Sequence, residues 1–528
     1  MHLTSHTHTS SFATAFRSPA PAIRSAKKPR SSRISCVAAP PASRAPTDSS
    51  KKPMTNGHQD LAAAARNDAP FKTIIEPFRM KFVEVMKMTT REQRLKLLEE
   101  ANYNLFKIPA EYCLIDLLTD SGTGSMSADQ WAGLMQGDES YACARSWFKF
   151  KSAVEEVTGF CNIIPTHQGR AAERILFTTL GVKDKLVLSN TLFDTTRANA
   201  EFLGAECVDM PCKENEDPST PAPFKGNIDL QALERRLEED ASKVACLVMT
   251  VTNNSGGGQP VAMANLKAAA ALCRQHKVQF YLDACRFAEN SYFVRDREPG
   301  YEGKSVKSIA RELFSLADGA TFSAKKDGLA NTGGFLISNN EDLVQKATQL
   351  LIMTEGFPTY GGLTGRDLET IAVGLREVVK EDYLEYRIAS TAFLGAGLAA
   401  RGIPIVEPPG GHAVYIDATA FLPDVPRSAF PGHAVAVAFF VEGGVRSCEI
   451  GELMFGGEDP ITGDERRPAG GLELCRMAIP RRVYTQSHME YLLEVAERVV
   501  ATKDTLKGFK VTKETPYLRH FSADLAPL

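Results

Sequence analysis

The sequence predicts an α/β protein: a large domain built on a mostly parallel sheet, followed by a smaller α+β domain. Two observations carry that prediction. From about residue 126 to 365, strand-like apolar runs such as Leu186–Leu188, Val244–Val251, Val278–Leu282 and Gly334–Ile337 alternate with stretches of helical spacing. Alternation of this kind implies parallel strands with helices on both faces. After about residue 380 a long helical stretch gives way to short strands around Ile403–Val406 and His412–Ile416. A chain of 528 residues has room for two or more domains, and no internal repeat is visible.

The amino terminus differs in kind. Asp48 is the first acid, and Arg17, Arg24, Lys27, Lys28, Arg30, Arg33 and Arg44 lie among Ser, Ala, Thr and Pro. An acid-free, Ser-rich, basic start without an apolar core is the pattern of an organelle transit peptide. The run Arg33–Ala39 resembles a chloroplast processing site; a mitochondrial or cytoplasmic location is the alternative. His2, His6 and His8 could bind metal but fall in this segment. Residues 40 to about 70 remain rich in Pro, Ser and Ala and are expected to be disordered. Ordered-looking sequence begins at Glu76-Pro77-Phe78, and Arg91–Tyr103 has helical spacing of Leu95, Leu97, Leu98 and Ala101.

Composition narrows the function classes. Hydrophobic residues make up 43% and charged residues 24%, the balance of an ordinary soluble domain. A net charge of −3 gives no basic field for nucleic acid. No apolar run approaches the ~18–20 residues that span a bilayer, and the longest candidate, Ala434–Val441, fits a buried strand or helix segment. The cysteine count is odd, at 11, and no CxxC pair occurs, so free thiols are expected. Only Cys207 and Cys212 have a spacing that suggests a pair.

The chemistry concentrates at strand ends. Asp283 closes Val278–Leu282, and Lys325-Lys326 follow the strand-like run Gly319–Ser323. An amine and a carboxylate at neighbouring strand ends suit pyridoxal phosphate: the amine forms a Schiff base, and the carboxylate keeps the pyridine nitrogen protonated. Thr166-His167-Gln168-Gly169-Arg170 precedes a helical stretch, and the N–H groups of a helix start bind phosphate. Asn253–Pro260 is a glycine-rich turn without the spacing of a dinucleotide fingerprint.

Taken in order, these segments closely resemble the tryptophanase and tyrosine phenol-lyase family of β-eliminating lyases. The matching runs are Leu117–Thr123, Gly137–Ala142, Pro165–Arg170, Gly257–Pro260, Asp283–Asn290, Ser323–Asp327, Glu355–Gly362 and Ile479–Thr485, and the likeness covers about residues 76–528. It implies the aminotransferase-like fold of pyridoxal-phosphate enzymes (fold type I) and a homotetramer of catalytic dimers. The expected division is 1–45 transit peptide, 46–75 disordered linker, 76–125 amino-terminal arm with part of the small domain, 126–379 large cofactor-binding domain and 380–528 small domain. By position, Lys326 would be the Schiff-base lysine and Asp283 the partner of the pyridine nitrogen. Phe193 would stack on the ring. Gln168, Gly169, Arg170 and Ser323 would hold the phosphate, with Asn254 and Arg286 beside the phenolic oxygen. Arg476 would bind the substrate carboxylate, its planar fork suiting bidentate binding. Phe106 and Thr119 would also line the substrate site, and Tyr141 would be an acid or base. Gly122, Glu139 and Asn331 match positions around a monovalent cation, usually potassium.

Three positions bear on the leaving group. Ile450, Asp194 and His520 stand where tyrosine phenol-lyases resemble one another in having arginine, threonine and phenylalanine, and all three match tryptophanase. Pro404–Pro408 and Arg466-Arg467-Pro468 look instead like phenol-lyase segments. The pocket outweighs the scaffold, because function lives in the site. Indole leaves after its C3 is protonated, and a nearby carboxylate stabilises the resulting cation. Asp194 would supply that carboxylate, tuned by His520. The resemblance therefore implies β-elimination of L-tryptophan to indole, pyruvate and ammonia. Alternatives are a tyrosine phenol-lyase, a β-lyase on S-substituted cysteines, an aminotransferase and a retired scaffold. The donor of the C3 proton, Tyr141 or a relay to it, stays open.

Overall fold

Seven strands of the main sheet are ordered Ile163–Thr166, Gly334–Ser338, Gly319–Ser323, Gln279–Asp283, Val244–Thr250, Leu186–Ser189 and Glu206–Asp209. All run in one direction except Gly334–Ser338, which is antiparallel to both neighbours. This computed structural model describes residues 75–458, 465–466 and 471–528. The basic amino-terminal segment, His2, His6, His8, most of the expected linker and Arg467-Pro468 lie outside the described residues.

The apolar runs are near-continuous because the sheet is covered on both faces. Alternate residues of one strand enter opposite cores: Phe280 and Leu282 join Phe287, Phe314, Phe322 and Phe335, while Tyr281 joins Leu176, Phe177, Val187 and Leu336. The parallel strands end along one edge, which brings Asp283 opposite Thr321, two residues before Ser323. Catalytic groups of open α/β sheets gather at such carboxyl ends.

A second core lies around the antiparallel sheet Cys448–Ile450, Leu474–Ala478 and Ala413–Asp417. The expected apolar segment Ala434–Val441 is a helix, Pro431–Gly443, buried on nearly every side. It packs with Leu98, Leu105, Ile115 and Leu117, so the amino-terminal segment joins this core. The two-residue parallel ladder Ile115–Asp116 with Val445–Arg446 ties the same segments together. Ile403–Val406, expected as a strand, makes only a single bridge, Ile405 to Ile416. Pro404 has no N–H to extend the ladder, although its carbonyl accepts from Asp417 N at 2.9 Å.

Ten cysteines in the described residues are free, Cys207 and Cys212 included. No helix among the described residues is long and apolar enough to cross a membrane.

Candidate active site

One cleft receives side chains from both sheets. The strand Gly319–Ser323 leads into the turn that carries Lys325 and Lys326, and Gln279–Asp283 delivers Asp283 beside them; all three line the cleft. The helix Gly169–Leu180 starts at the same place. Its first N–H groups have no side-chain cap from Gln168, and Gln168, Gly169, Arg170 and Ser323 all face the cavity. A Cβ on Gly169 would come within 2.8 Å of Ser323 Cβ, so only glycine allows the helix start to approach Ser323 so closely. An uncapped helix start with an arginine and a hydroxyl beside it is a phosphate-sized anion cradle. The residues present therefore fit a phosphate-bearing cofactor reached by Lys326.

Phe193 and Asp194, at the start of the helix Asp194–Phe202, both line the cleft. Asn254 Oδ1 accepts from Tyr415 Oη at 2.6 Å, His412 Nε2 at 2.9 Å and Arg476 Nη1 at 3.2 Å. Arg476 Nη2 donates to Leu118 O at 3.0 Å, while its buried Nε has no partner among the described residues. Asn254 and Leu118 thus orient a guanidinium with donor capacity left for a carboxylate. Burial first, then the charge of Arg286, holds His412 well below its usual range, so it is a neutral ring.

Arg286 makes a two-point pair with Asp120, Nε to Oδ2 at 3.0 Å and Nη2 to Oδ1 at 2.7 Å. Arg481 continues the chain: its Nη1 reaches Asp120 at 2.9 Å, and its Nη2 reaches Asp327 at 3.0 Å and Glu289 at 3.2 Å. Arg387 Nε also reaches Glu289, at 3.1 Å. Three guanidiniums and three carboxyl groups thereby form one buried network, in which burial pushes Asp327 up to about 7. Burial opposes the charge of Asp120, but Arg286 and then Arg481 outweigh it and hold the carboxyl well below its ordinary value.

The other end of the cleft is lined by Phe106, Leu118, Thr119, Cys448, Met454, His520 and Phe521. His520 Nε2 lies 3.1 Å from Asp194 Oδ2, with both side chains 2% exposed. The contact is close but not aligned as a hydrogen bond, and neither ring nitrogen of His520 has another partner among the described residues. Phe106 and Phe521 meet the His520 ring edge-on and tilted, at 5.7 and 4.0 Å.

Several expected residues fall elsewhere. Ile450 is buried in the cluster with Val406, Tyr415 and Leu474 behind the wall, and Cys448 and Met454 form the surface instead. Tyr141 is 72% exposed and meets Phe357 tilted and Tyr360 edge-on, each at 5.5 Å, outside the cleft of its own chain, in the loop between the helices Ala128–Gln136 and Arg145–Thr158. Of the expected cation ligands, Gly122 and Asn331 meet: the Asn331 amide donates to Gly122 O at 3.0 Å. Glu139 does not join them. It accepts from Arg366 Nε at 2.9 Å and Gly365 N at 3.2 Å. Among the described residues no group of three His, Cys, Asp or Glu is placed to hold a metal.

The cleft also holds a residue that sequence reasoning missed. Glu173, on the phosphate-cradle helix, is buried and accepts from Thr196 Oγ1 at 2.8 Å and Asn199 Nδ2 at 3.3 Å. Burial, then the charge of Asp283, pushes it up to about 7. Its position three residues beyond Arg170, on the same helical face, was the available signal.

Comparison with known proteins now bears on this geometry. The chain resembles a serine palmitoyltransferase from S. paucimobilis solved with a bound PLP–myriocin aldimine (TM-score 0.51, 15% identity, 74% of this chain and 88% of that one). It also resembles a threonine aldolase from Leishmania major (TM-score 0.51, 16% identity, 73% and 99%). Among curated sequences, a tryptophanase from Salinibacter ruber is 55% identical over 86% of this chain and 96% of its own length, and one from Hyphomonas neptunium 54% over 86% and 99%. A tyrosine phenol-lyase from Symbiobacterium thermophilum is 45% identical over 86% and 98%. The family model described as β-eliminating lyase matches residues 116–494.

The architecture is therefore the fold type I architecture expected from the sequence. An enzyme on this scaffold, with relatives of this kind, is a carbon–carbon lyase. The chain belongs to the β-eliminating lyase family.

Proposed function

We propose that this enzyme removes indole from L-tryptophan by pyridoxal-phosphate-dependent β-elimination, leaving pyruvate and ammonia. The observation that carries the proposal is the buried contact between Asp194 and His520 at the end of the cleft away from the phosphate cradle. A carboxylate there accepts the indole N–H as positive charge builds on the protonated ring, where exclusion of water strengthens the attraction. Tryptophanases 54–55% identical to the chain support the same substrate.

The residues divide the work by position. The helix start at Gly169, with Arg170 and Ser323, holds the cofactor phosphate, and Asp283 holds the proton on its pyridine nitrogen. When bound, pyridoxal phosphate supplies the electron sink for the pair left at Cα. Arg476, oriented by Asn254 and Leu118, grips the substrate carboxylate, and Lys326 Nζ removes the Cα proton. Phe106, Met454 and Phe521 exclude water around the leaving ring. Tyr141 remains a candidate acid in a homotetramer of catalytic dimers, where the outward-facing loop 137–144 would meet a neighbouring subunit. Potassium would bind near Gly122 and Asn331 in the same assembly, completed by Glu139. The basic amino terminus supports plastid import, which a fused reporter tests; a cytosolic reporter in a plant or algal cell counts against it.

A second reading, a tyrosine phenol-lyase or a β-lyase on S-substituted cysteines, is favoured by relatives named tyrosine phenol-lyase at 45% identity. Purified protein with cofactor and potassium, given L-tryptophan, L-tyrosine or an S-alkylcysteine, decides between them. Indole from tryptophan at a kcat/KM well above that for phenol from tyrosine is the expected result. The reverse order would transfer the assignment to the phenol-lyases.

A further inference from the structure

The leaving-group end of the cleft rests on two carboxylates that do not face it. Glu449 lies in the strand Cys448–Ile450, opposite Cys475 on the neighbouring strand. Glu473 lies two residues before Cys475, so both glutamates share the face of the ladder turned away from Cys448. Both are buried. The helix Pro431–Gly443 closes over them so tightly that a Cβ on Gly432 would meet Glu449 Cγ at 2.9 Å.

Both carboxylates grip the same short piece of backbone. Glu449 Oε1 accepts from Leu453 N and its Oε2 from Met454 N, each at 3.0 Å. Glu473 Oε1 accepts from Glu452 N at 2.8 Å. The one-turn segment Glu452–Phe455 is then held from its other side by Arg519, whose Nη2 and Nε donate to Glu452 O and Leu453 O at 2.6 and 3.0 Å. Arg519 is followed by His520 and Phe521, and Met454 faces the cleft with them. We propose that Glu449 and Glu473 are paired positioning residues that set the leaving-group end of the cavity by fixing the Met454 segment, a proposal that rests on reading that end as the leaving-group pocket.

Two charged carboxylates so close together in a buried site disfavour one another. Glu473 Oε2 has no partner among the described residues. A Cβ on Gly451 would lie 2.6 Å from that oxygen and 2.7 Å from Glu449 Oε1, so the two oxygens crowd one point. Both oxygens of Glu449 receive backbone N–H groups, which partly offsets its burial, whereas Glu473 Oε2 receives none, so protonation there gives up no hydrogen bond. Burial first, and then the charge of Glu473, pushes Glu449 well above the carboxylate range; burial pushes Glu473 up to about 8. The charged groups facing the pair among the described residues are Arg519, itself paired with Glu514, Arg427 from the turn Arg427–Ala429, and Glu452. Cys475 is the titratable neighbour across the ladder.

The sign follows from the raised carboxyl. Its stabilising effect is complete below the ordinary carboxylate range and is lost as pH rises through about 8. Glu473→Gln keeps the shape and a donor at Oε2 while removing the titration. Glu449→Gln instead turns an amide N–H₂ toward a backbone N–H. The test compares both variants and Glu473→Ala with the wild-type holoenzyme. Melting temperature is read from about pH 6 to pH 9, and kcat/KM for tryptophan is divided by that for an S-alkylcysteine.

Glu473→Gln is expected to keep the substrate ratio and to lose less melting temperature on going to alkaline pH, by ~3 °C or more relative to wild type. Glu473→Ala and Glu449→Gln are expected to lower the ratio by ~10-fold, the scale of one misplaced hydrophobic contact. A melting curve for Glu473→Gln parallel to wild type across the pH range overturns the protonated state of Glu473. A ratio unchanged in Glu473→Ala overturns the positioning role. If Glu473→Ala fails to fold, the ratio in Glu449→Gln decides that role. If tryptophan is not a substrate at all, the substrate reading fails while the melting curves still test the pair.

Discussion

The two ends of the cleft are built by different means. At the cofactor end, Asp283, Ser323 and the Gly169 helix start lie at the termini of strands and a helix of the buried main sheet, and Lys326 lies in the turn directly after one of those strands. At the leaving-group end, Phe106, Met454 and His520 come from short helical turns far apart in the chain, and only Asp194 and Cys448 sit on longer elements or a strand. The first end is positioned by the sheet register. The second is positioned by side chains that bind backbone: Glu449, Glu473 and Arg519 around Met454, and Asn104, which donates to His520 O and Ala523 O at 3.1 and 2.8 Å. A scaffold of this design can keep its chemistry constant while its leaving-group end varies, since the turns change without disturbing the sheet.

The largest effect should come from the cofactor end. Lys326→Ala is expected to lower turnover of every substrate by ~10⁴-fold or more, since it removes a group that acts in the reaction itself. Borohydride reduction and peptide mapping should place the pyridoxyl label on Lys326 in the wild type and also in Lys325→Ala. A label on Lys325 would show that the register of the turn after Gly319–Ser323 has been misassigned.

The next effect tests what supports that end. Arg481 touches Asp120, Asp327 and Glu289, each buried. Arg481→Met leaves those carboxylates under-compensated, and removal of one partner from a buried ionic cluster costs about 3–5 kcal/mol. Denaturant unfolding should show that loss. Stability within about 1 kcal/mol of wild type would mean that water reaches the cluster, and that the two ends differ less in rigidity than their construction implies.

How much of this was legible in the sequence follows the same division. Asp283 closes one continuous apolar run and Lys325-Lys326 follow another, so an apolar run with a polar end pointed to them, and the family resemblance singled out Lys326. The sheet was legible because strands covered on both faces must be apolar throughout. Ile450 shows the limit: two residues beyond Cys448 on the same strand face, it drops behind the cavity wall, and no local pattern records where a wall ends. Glu173, Arg481 and the Glu449–Glu473 pair were missed because an isolated charged residue gives no sign of burial until its partners, often more than a hundred residues away, are placed. Tyr141 and Glu139 belong to one of the matching runs, Gly137–Ala142, yet neither lines the cleft of its own chain.

Asp194 separates the ends most directly. Asp194→Thr should lower indole release by ~10²–10³-fold, the scale of one electrostatic group aimed at developing charge. Pyruvate release from an S-alkylcysteine should fall by less than ~10-fold, because a thiolate leaves without ring protonation. Equal losses on both substrates would assign Asp194 to the cofactor end or to folding, and the comparison of the two ends would lose its chemical basis.

The smallest effect concerns a carboxyl group at the cofactor end, and it sharpens the comparison through pH. Glu173, pushed up to about 7 by burial and then by Asp283, favours its protonated form in the folded chain. A raised carboxyl contributes fully below the ordinary carboxylate range and loses that contribution as pH climbs through about 7. Thr196 Oγ1 donates to one oxygen, and this bond survives in Glu173→Gln, whereas Glu173→Ala removes it. Wild type should therefore lose about 1 kcal/mol more than Glu173→Gln between about pH 6 and pH 8, seen as the difference between their urea unfolding curves. Glu173→Ala should be less stable than Glu173→Gln at both pH values, since it leaves Thr196 and Asn199 without their acceptor. If wild type and Glu173→Gln track each other over that interval, Glu173 is ionised throughout in the folded enzyme. The cofactor end would then carry one more fixed negative charge beside Asp283, and the raised carboxyls of Glu449 and Glu473 would be confined to the end that holds the leaving group.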